Sequence, residues 1–462
     1  MFKKCLTRYL PIFLSTAAGL LPEEVSATPA FARQVNMQCI ACHIEFPILN
    51  DFGRAFKLGG YTLSAEQTLL PPLAVMAQPG FTHTQESIPG GAAPGYHGNN
   101  NVALGQVSVF YTGRLFGPYA NSLFGPTAGA ILNRFGVFYQ HTYDGIAHHW
   151  AWDNVEFRYA DTTTLFGQAA NFGVYVNNNP TMQDPWNTLP AWGYPFSTSP
   201  LASTPAAATL IDGGVSQQVA GLGAYAYLNT TWYFDFGIYH TLGSGFQKFM
   251  GIDPTDETRI PGIAPYWRFA YSKKDELGLR SWEIGTVGLF ADTYPTGVST
   301  AGKDQILDLG IDAQYQTVLG KNDLTAMLTW THESQWWNAS QPLEFSSNAS
   351  DTLWKAAATV HVLHDKTYAA AIQYFVTDGS KDGNLYAYSA NGSPLSDGIL
   401  LELNWMPFNK KGGPEFWPRS NAKFTAQYII YNRFNGGRSN IDGMGAKASG
   451  NNNLFLGMWL VF

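Results

Sequence analysis

QILDLGIDAQYQT, residues 305–317, alternates with a period of two. Leu307, Leu309, Ile311, Ala313 and Tyr315 fall on one face, and Asp308, Gly310, Asp312, Gln314 and Gln316 on the other. A period of two is that of a β-strand, whose successive side chains point to opposite faces. Here one face suits lipid and the other water. The split recurs in WDNVEFRYA (152–160), with Val155, Phe157 and Tyr159 opposite Asn154, Glu156 and Arg158. In TWYFDFGIYH (231–240), Trp232, Phe234, Phe236 and Ile238 oppose Asp235, Gly237 and Tyr239. Soluble sandwiches also alternate, so the pattern needs support from elsewhere in the chain.

Composition supplies some of it. Charged residues make up only 13% of the 462 residues while aromatics reach 15%, so something other than a charged surface must face the surroundings. After the N-terminus no apolar run is long enough for a transmembrane helix, which leaves strands as the spanning element. About sixteen alternating segments begin near residues 73, 104, 131, 148, 163, 217, 231, 264, 281, 305, 322, 352, 367, 397, 421 and 453, each about nine to eleven residues long, the length that crosses a bilayer on a tilt. From the sixth segment on, tight turns such as Asn229-Thr230 and Gly320-Lys321 mostly alternate with long loops such as Gly243 to Ile263 and Gln335 to Asp351. Short turns at one end and long loops at the other are the habit of outer-membrane barrels. The long connection from Gly117 to Ala130 and the tight turn from Gly145 to Ala147 break the rule. The chain ends NNLFLGMWLVF, an alternating strand closing on an aromatic, and Trp232, Trp282, Trp405 and Trp459 lie near segment ends, where an interfacial girdle is expected. The net charge of −7 carries no long basic run, so nucleic acid is not an expected partner.

The N-terminus departs from this pattern. Lys3, Lys4 and Arg8 precede an apolar stretch from Leu10 to Leu21, and Val25-Ser26-Ala27 offers a cleavage site, which predicts an export signal over 1–27 that includes Cys5. The remaining cysteines form CIACH, Cys39 to His43. Cys-x-x-Cys-His suits covalent c-type haem, because two thiols add to the two vinyl groups while the adjacent His reaches the iron. Against this stand a small disulfide loop, a zinc site, which would need more ligands, and a thioredoxin-like motif, which would need a βαβ setting. From Phe46 to Leu58 the spacing predicts one short amphipathic helix, with Asn50 and Asp51 as caps and Gly59-Gly60 ending it. Arg54 and Lys57 on it are candidate partners for haem propionates or plain solvated charges. About forty residues seldom sustain a core alone, so the haem segment needs a host. Met76 is the preferred second axial ligand, on the lumen parity of Gln78 and Thr82; His83 is the alternative, and for either the plain reading is an ordinary strand residue.

The combination resembles the fused outer-membrane monohaem cytochrome c and porin family of iron-oxidising bacteria. The resemblance spans the chain and is carried by PAFARQ (29–34), CIACH (39–43), FGRAFKLGGYTL (52–63), VMAQPGFTHT (75–84) and the C-terminal FNGG and NIDGMGAKASGNNNLFLGMWLVF. It implies an all-β transmembrane outer-membrane barrel of about sixteen antiparallel strands over 73–462, with a small helical monohaem cytochrome c domain at 28–72 plugging the lumen or lying on its periplasmic side. It assigns Cys39 and Cys42 the thioether role and His43 the axial role on one covalent haem c. The function implied is electron transfer from an extracellular donor, Fe(II) above all, to a periplasmic c-type cytochrome or cupredoxin, an activity of the Fe(II):cytochrome c oxidoreductase type. Two other readings are a diffusion porin whose haem-bearing plug acts as tether, sensor or minor peroxidase, and a transporter for a metal chelate. His148, His149, His332, His361 and His364 match no helical metal motif. The loop acids Asp184, Asp212, Asp253 and Asp256 are read as solvated charge, with attraction of hard cations as the alternative.

Overall fold

The computed structural model describes residues 29–64, 72–254, 259–295, 299–414 and 420–462; the expected export signal lies outside them. The strands are β1 (Leu73–Thr84), β2 (Asn101–Arg114), β3 (Phe135–Asp144), β4 (His149–Leu165), β5 (Gln168–Asn177), β6 (Val219–Leu228), β7 (Trp232–Thr241) and β8 (Ala264–Lys274). They continue with β9 (Arg280–Thr293), β10 (Asp304–Leu319), β11 (Asn322–Trp336), β12 (Ser350–His364), β13 (Tyr368–Gly379), β14 (Ser396–Trp405), β15 (Asn421–Arg433) and β16 (Asn453–Val461). Each pairs antiparallel with its sequence neighbours, and β1 pairs with β16 to close the barrel. Closure satisfies every strand edge, the condition for backbone to cross lipid without water. The fold is that of a sixteen-stranded outer-membrane β-barrel.

The alternation read from the sequence sorts as expected. On β10, Leu309, Ile311 and Tyr315 are exposed on the outer wall, while Asp308, Asp312 and Gln314 are buried in the lumen. On β7, Trp232, Phe236 and Ile238 point out and Asp235 and Tyr239 point in. Several strands exceed a bilayer crossing: β4 has 17 residues and β10 has 16, so they extend the wall beyond the hydrocarbon. The two irregular connections are real. Residues 115–134 place a helical segment, Ala120–Leu132, at the end where β4–β5, β6–β7, β8–β9, β10–β11 and β12–β13 are joined by short turns, and Gly145–His148 is a tight turn at the long-loop end. Trp459 does not join the outer girdle. It shares parity with the buried Asn453 and Phe455, and its ring sits inside against Lys423, 4.8 Å from the ammonium.

Two segments fill the lumen. From the short-turn end comes the N-terminal segment, with α1 (Pro29–Val35), a 3₁₀ turn at Cys39–Ala41 and α2 (Asp51–Leu58). From the long-loop end, residues 178–218 between β5 and β6 fold inward, burying Met182, Gln183, Asp184 and Trp186.

Candidate haem site

The predicted helix starts at Asp51 rather than Phe46. Pro47 disfavours helical backbone before it, and Ile44 and Ile48 pair across a tight loop instead, with Ile44 N donating to Ile48 O at 3.0 Å. Asn50 is the N-cap: its side chain accepts from Gly53 N at 3.0 Å, while its amide donates to Ala41 O at 3.0 Å. One residue therefore caps α2 and ties it to the cysteine turn. Gly53 makes the approach possible, since a Cβ there would lie 2.2 Å from Cys42 O.

The turn opens on a cavity of about 580 Å³. Its floor is Cys39, Cys42, His43, Phe46 and Phe56 from the N-terminal segment; Met76 and Phe110 line it from the wall, and Trp192 and Phe196 from the inward loop. Neither cysteine is in a disulfide; Cys39 is buried and Cys42 half-buried. Burial, and then the neighbouring Cys39, pushes the Cys42 thiol up to about 12. Burial pushes the His43 imidazole down to about 4, against the pull of the Pro47 and Ile48 carbonyls, so the ring is neutral and able to ligate metal at physiological pH. Its Nδ1 is buried with no hydrogen bond of good geometry. Met76 is 3% exposed, and its Sδ accepts from Gln78 Nε2 at 3.5 Å. It also packs in an apolar cluster with Ala30, Phe56, Tyr61 and Phe138, so it has a packing role regardless of any ligand. Two neighbouring thiols outside any disulfide, a neutral buried imidazole, a thioether and a cavity with aromatic walls form a donor set that fits covalent haem. Among the described residues no cluster of three or more His, Cys, Asp or Glu is arranged to hold a metal ion.

Several readings change. His83 lies on the parity opposite to Met76, bonds Asn100 Oδ1 at 2.8 Å and does not line the cavity. Arg54 and Lys57 are not solvated. Arg54 donates to Leu49 O and to Gln316 Oε1 at 3.1 and 2.9 Å, and Lys57 to Asp184 O and Asn187 Oδ1 at 2.6 and 2.8 Å. Asp184 is fully buried, capping the amides of Trp186, Thr188 and Leu189 and lying 3.2 Å from Arg268. Asp212 pairs with Lys355; Asp256 is outside the described residues. His361 turns inward, its Nε2 2.6 Å from Glu45 Oε2. Sequence reading missed Glu45 and Lys423, 3.3 Å apart, because each looks like an ordinary polar residue until the N-terminal segment is docked.

No protein-family model matches the chain, and no curated protein matches it. Among solved structures it is similar to OmpF of Salmonella typhi in complex with daunomycin, at 11% identity over 84% of this chain and 97% of that one, TM-score 0.45. It is also similar to the anion-selective porin of Comamonas acidovorans (11%, 84% and 98%, TM-score 0.44) and to Pseudomonas putida OprB (9%, 84% and 93%, TM-score 0.46). At these identities the likeness is confined to the fold.

Proposed function

We propose that the chain is an outer-membrane electron conduit whose plug carries one covalent haem c. The observation behind this reading is the single cavity that has Cys39, Cys42, His43 and Met76 in its wall. The cysteine thiols would hold the group by thioethers, His43 would ligate the iron, and Met76 is the candidate for the second axial position. Bound haem supplies a one-electron Fe(III)/Fe(II) couple. Aromatic rings line the site from three directions, and the Asn50 bonds hold the cysteine turn against α2. With long loops outside and the termini on the periplasmic face, each external Fe(II) would give up one electron and become Fe(III), and one periplasmic cytochrome or cupredoxin would be reduced.

A second reading, a diffusion porin with a haem-bearing plug, is favoured by the barrel itself, since about sixteen strands enclose a lumen wide enough for a channel. The filled lumen counts against it: Arg158, Arg268 and Lys423 are all buried inside. The test is to load purified protein with haem and add Fe(II), with reduced sulfur compounds as comparison donors, while following the absorbance spectrum. Reduction supports the conduit. High conductance with no reduction supports the porin. Cys39→Ala with Cys42→Ala must abolish haem staining on a denaturing gel; persistent staining refutes the site.

A further inference from the structure

In the half of the lumen nearer the long loops, Asp308 on β10 and Glu333 on β11 stand directly opposite each other in register. Both side chains are on the lumen face, 0% and 2% exposed. Like charges directly opposite on neighbouring strands destabilise a sheet, the more so without water. The charge of Asp212 also acts on Asp308, though Asp212 itself is bonded to Lys355. The inward loop reaches the pair with backbone amides: Leu210 N donates to Glu333 Oε2, and Ile211 N to Asp308 Oδ2 at 2.7 Å. These bonds orient the carboxylates and leave other oxygens free. Asp308 Oδ1 is buried with no donor. Gln335 Nε2 donates to Glu333 Oε1, which fixes the amide's orientation and leaves Gln335 Oε1 buried beside the carboxylate, also without a donor. The Thr209 hydroxyl, one residue before Leu210, is a third such buried oxygen.

Oxygens without donors next to paired carboxylates are what a hard cation requires. We propose that Asp308 and Glu333, with Gln335 Oε1 and the Thr209 hydroxyl as neutral ligands, form a divalent-cation site that pins the inward loop to the barrel wall. It does not rest on the haem reading, because no ligand is shared with the cysteine cavity. The competing account is one proton shared by the two carboxyls.

The test uses the full chain in detergent, freed of metal and then equilibrated with Mn(II), with binding read by electron paramagnetic resonance and equilibrium dialysis. One bound Mn(II) per chain is expected, with affinity lowered by about tenfold or more in Asp308→Asn and in Glu333→Gln, each of which removes one charged ligand. A Cys39→Ala, Cys42→Ala chain should bind Mn(II) like the parent. Retained heat-modifiable gel mobility reports that the variants are folded. If a variant fails to fold, the parent alone decides: Mn(II) or Ca(II) must raise its thermal midpoint in a concentration-dependent way. No Mn(II) bound by the parent, or equal binding by folded Asp308→Asn and Glu333→Gln variants, overturns the site in favour of the shared proton.

Discussion

Glu45 decides how firmly the N-terminal segment sits in the barrel. Its carboxylate meets His361 at 2.6 Å, Asn404 Nδ2 at 2.7 Å and Lys423 at 3.3 Å, three groups on β12, β14 and β15. Lys423 is further enclosed by the rings of Phe46, Phe196 and Trp459, so it has no water to fall back on. Burial alone would raise the Glu45 carboxyl, but the Lys423 and His361 charges outweigh it and hold the group below the usual 4.5. A depressed carboxyl contributes stability that is complete above the ordinary value and is lost as pH falls through the lower, folded value. The segment is therefore expected to loosen in acid, below about pH 4.5. Glu45→Gln should loosen it at neutral pH as well, by about 3–5 kcal/mol, because the ammonium stays buried without its counter-charge. Limited proteolysis within residues 29–64 reads both effects, and equal resistance of parent and variant at every pH would sink the argument. Met76 needs a different readout, since it packs whether or not it ligates. Met76→Leu keeps the volume, so a packing role predicts little change in stability. A ligand role predicts loss of any sulfur-to-iron charge-transfer band and a lower midpoint potential in Met76→Ala and Met76→Leu, with six coordination kept in Met76→His. An unchanged spectrum in Met76→Leu removes the residue from the iron.

At the scale of elements, α2 and the cysteine turn act as one unit, joined by the Asn50 bonds and by the close packing at Gly53. Gly53→Ala should displace the Cys42 carbonyl and reduce covalent haem incorporation several-fold with both thiols intact; a haem stain normalised to protein checks this, and full incorporation would show that the turn yields. This unit was half legible in the sequence. Asn50 and Gly59 punctuate it as capping chemistry predicts, but α1 is a short helix with no such signal, and only its docking against the wall explains it. The strands were legible because the lipid face must be apolar and the lumen face polar, so period two runs along most of the wall, broken where β3 buries both Val137 and Phe138; Asp308, Asp312 and Gln314 fell where alternation put them. The inward loop was not. Asp184 reads as solvated charge, yet it is buried together with Asn178 and Gln183, because a barrel lumen supplies hydrogen-bond partners as water does and local composition does not distinguish the two. For the same reason the solvated-charge alternative for Arg54 and Lys57 does not hold.

For the whole molecule, the barrel and its filling obtain their stability from different sources. The wall is held by an unbroken ring of antiparallel pairs, from β1–β2 round to β16–β1, and none of those backbone bonds passes through the N-terminal segment. The filling is held by side chains: Arg54 on β9 and β10, Glu45 on β12, β14 and β15, and Tyr61 Oη donating to Glu156 Oε1 on β4 at 3.2 Å. Closed strand pairing in lipid does not need those contacts. A chain beginning at Leu70 should therefore insert and keep its heat-modifiable mobility on a gel. It should also expose the lumen, because the residues that occupy the short-turn half are gone while the inward loop keeps its own anchor, Asp184 on Arg268. Single-channel conductance is accordingly expected to rise from near zero in the full chain to a measurable but restricted value. Truncation with deletion of 179–214 should raise it further, toward that of an open barrel of about sixteen strands. If the truncated chain loses all heat-modifiable mobility, the filling is a folding partner of the barrel rather than a passenger. If the full chain already conducts freely, the lumen is not sealed and the porin reading gains over the conduit.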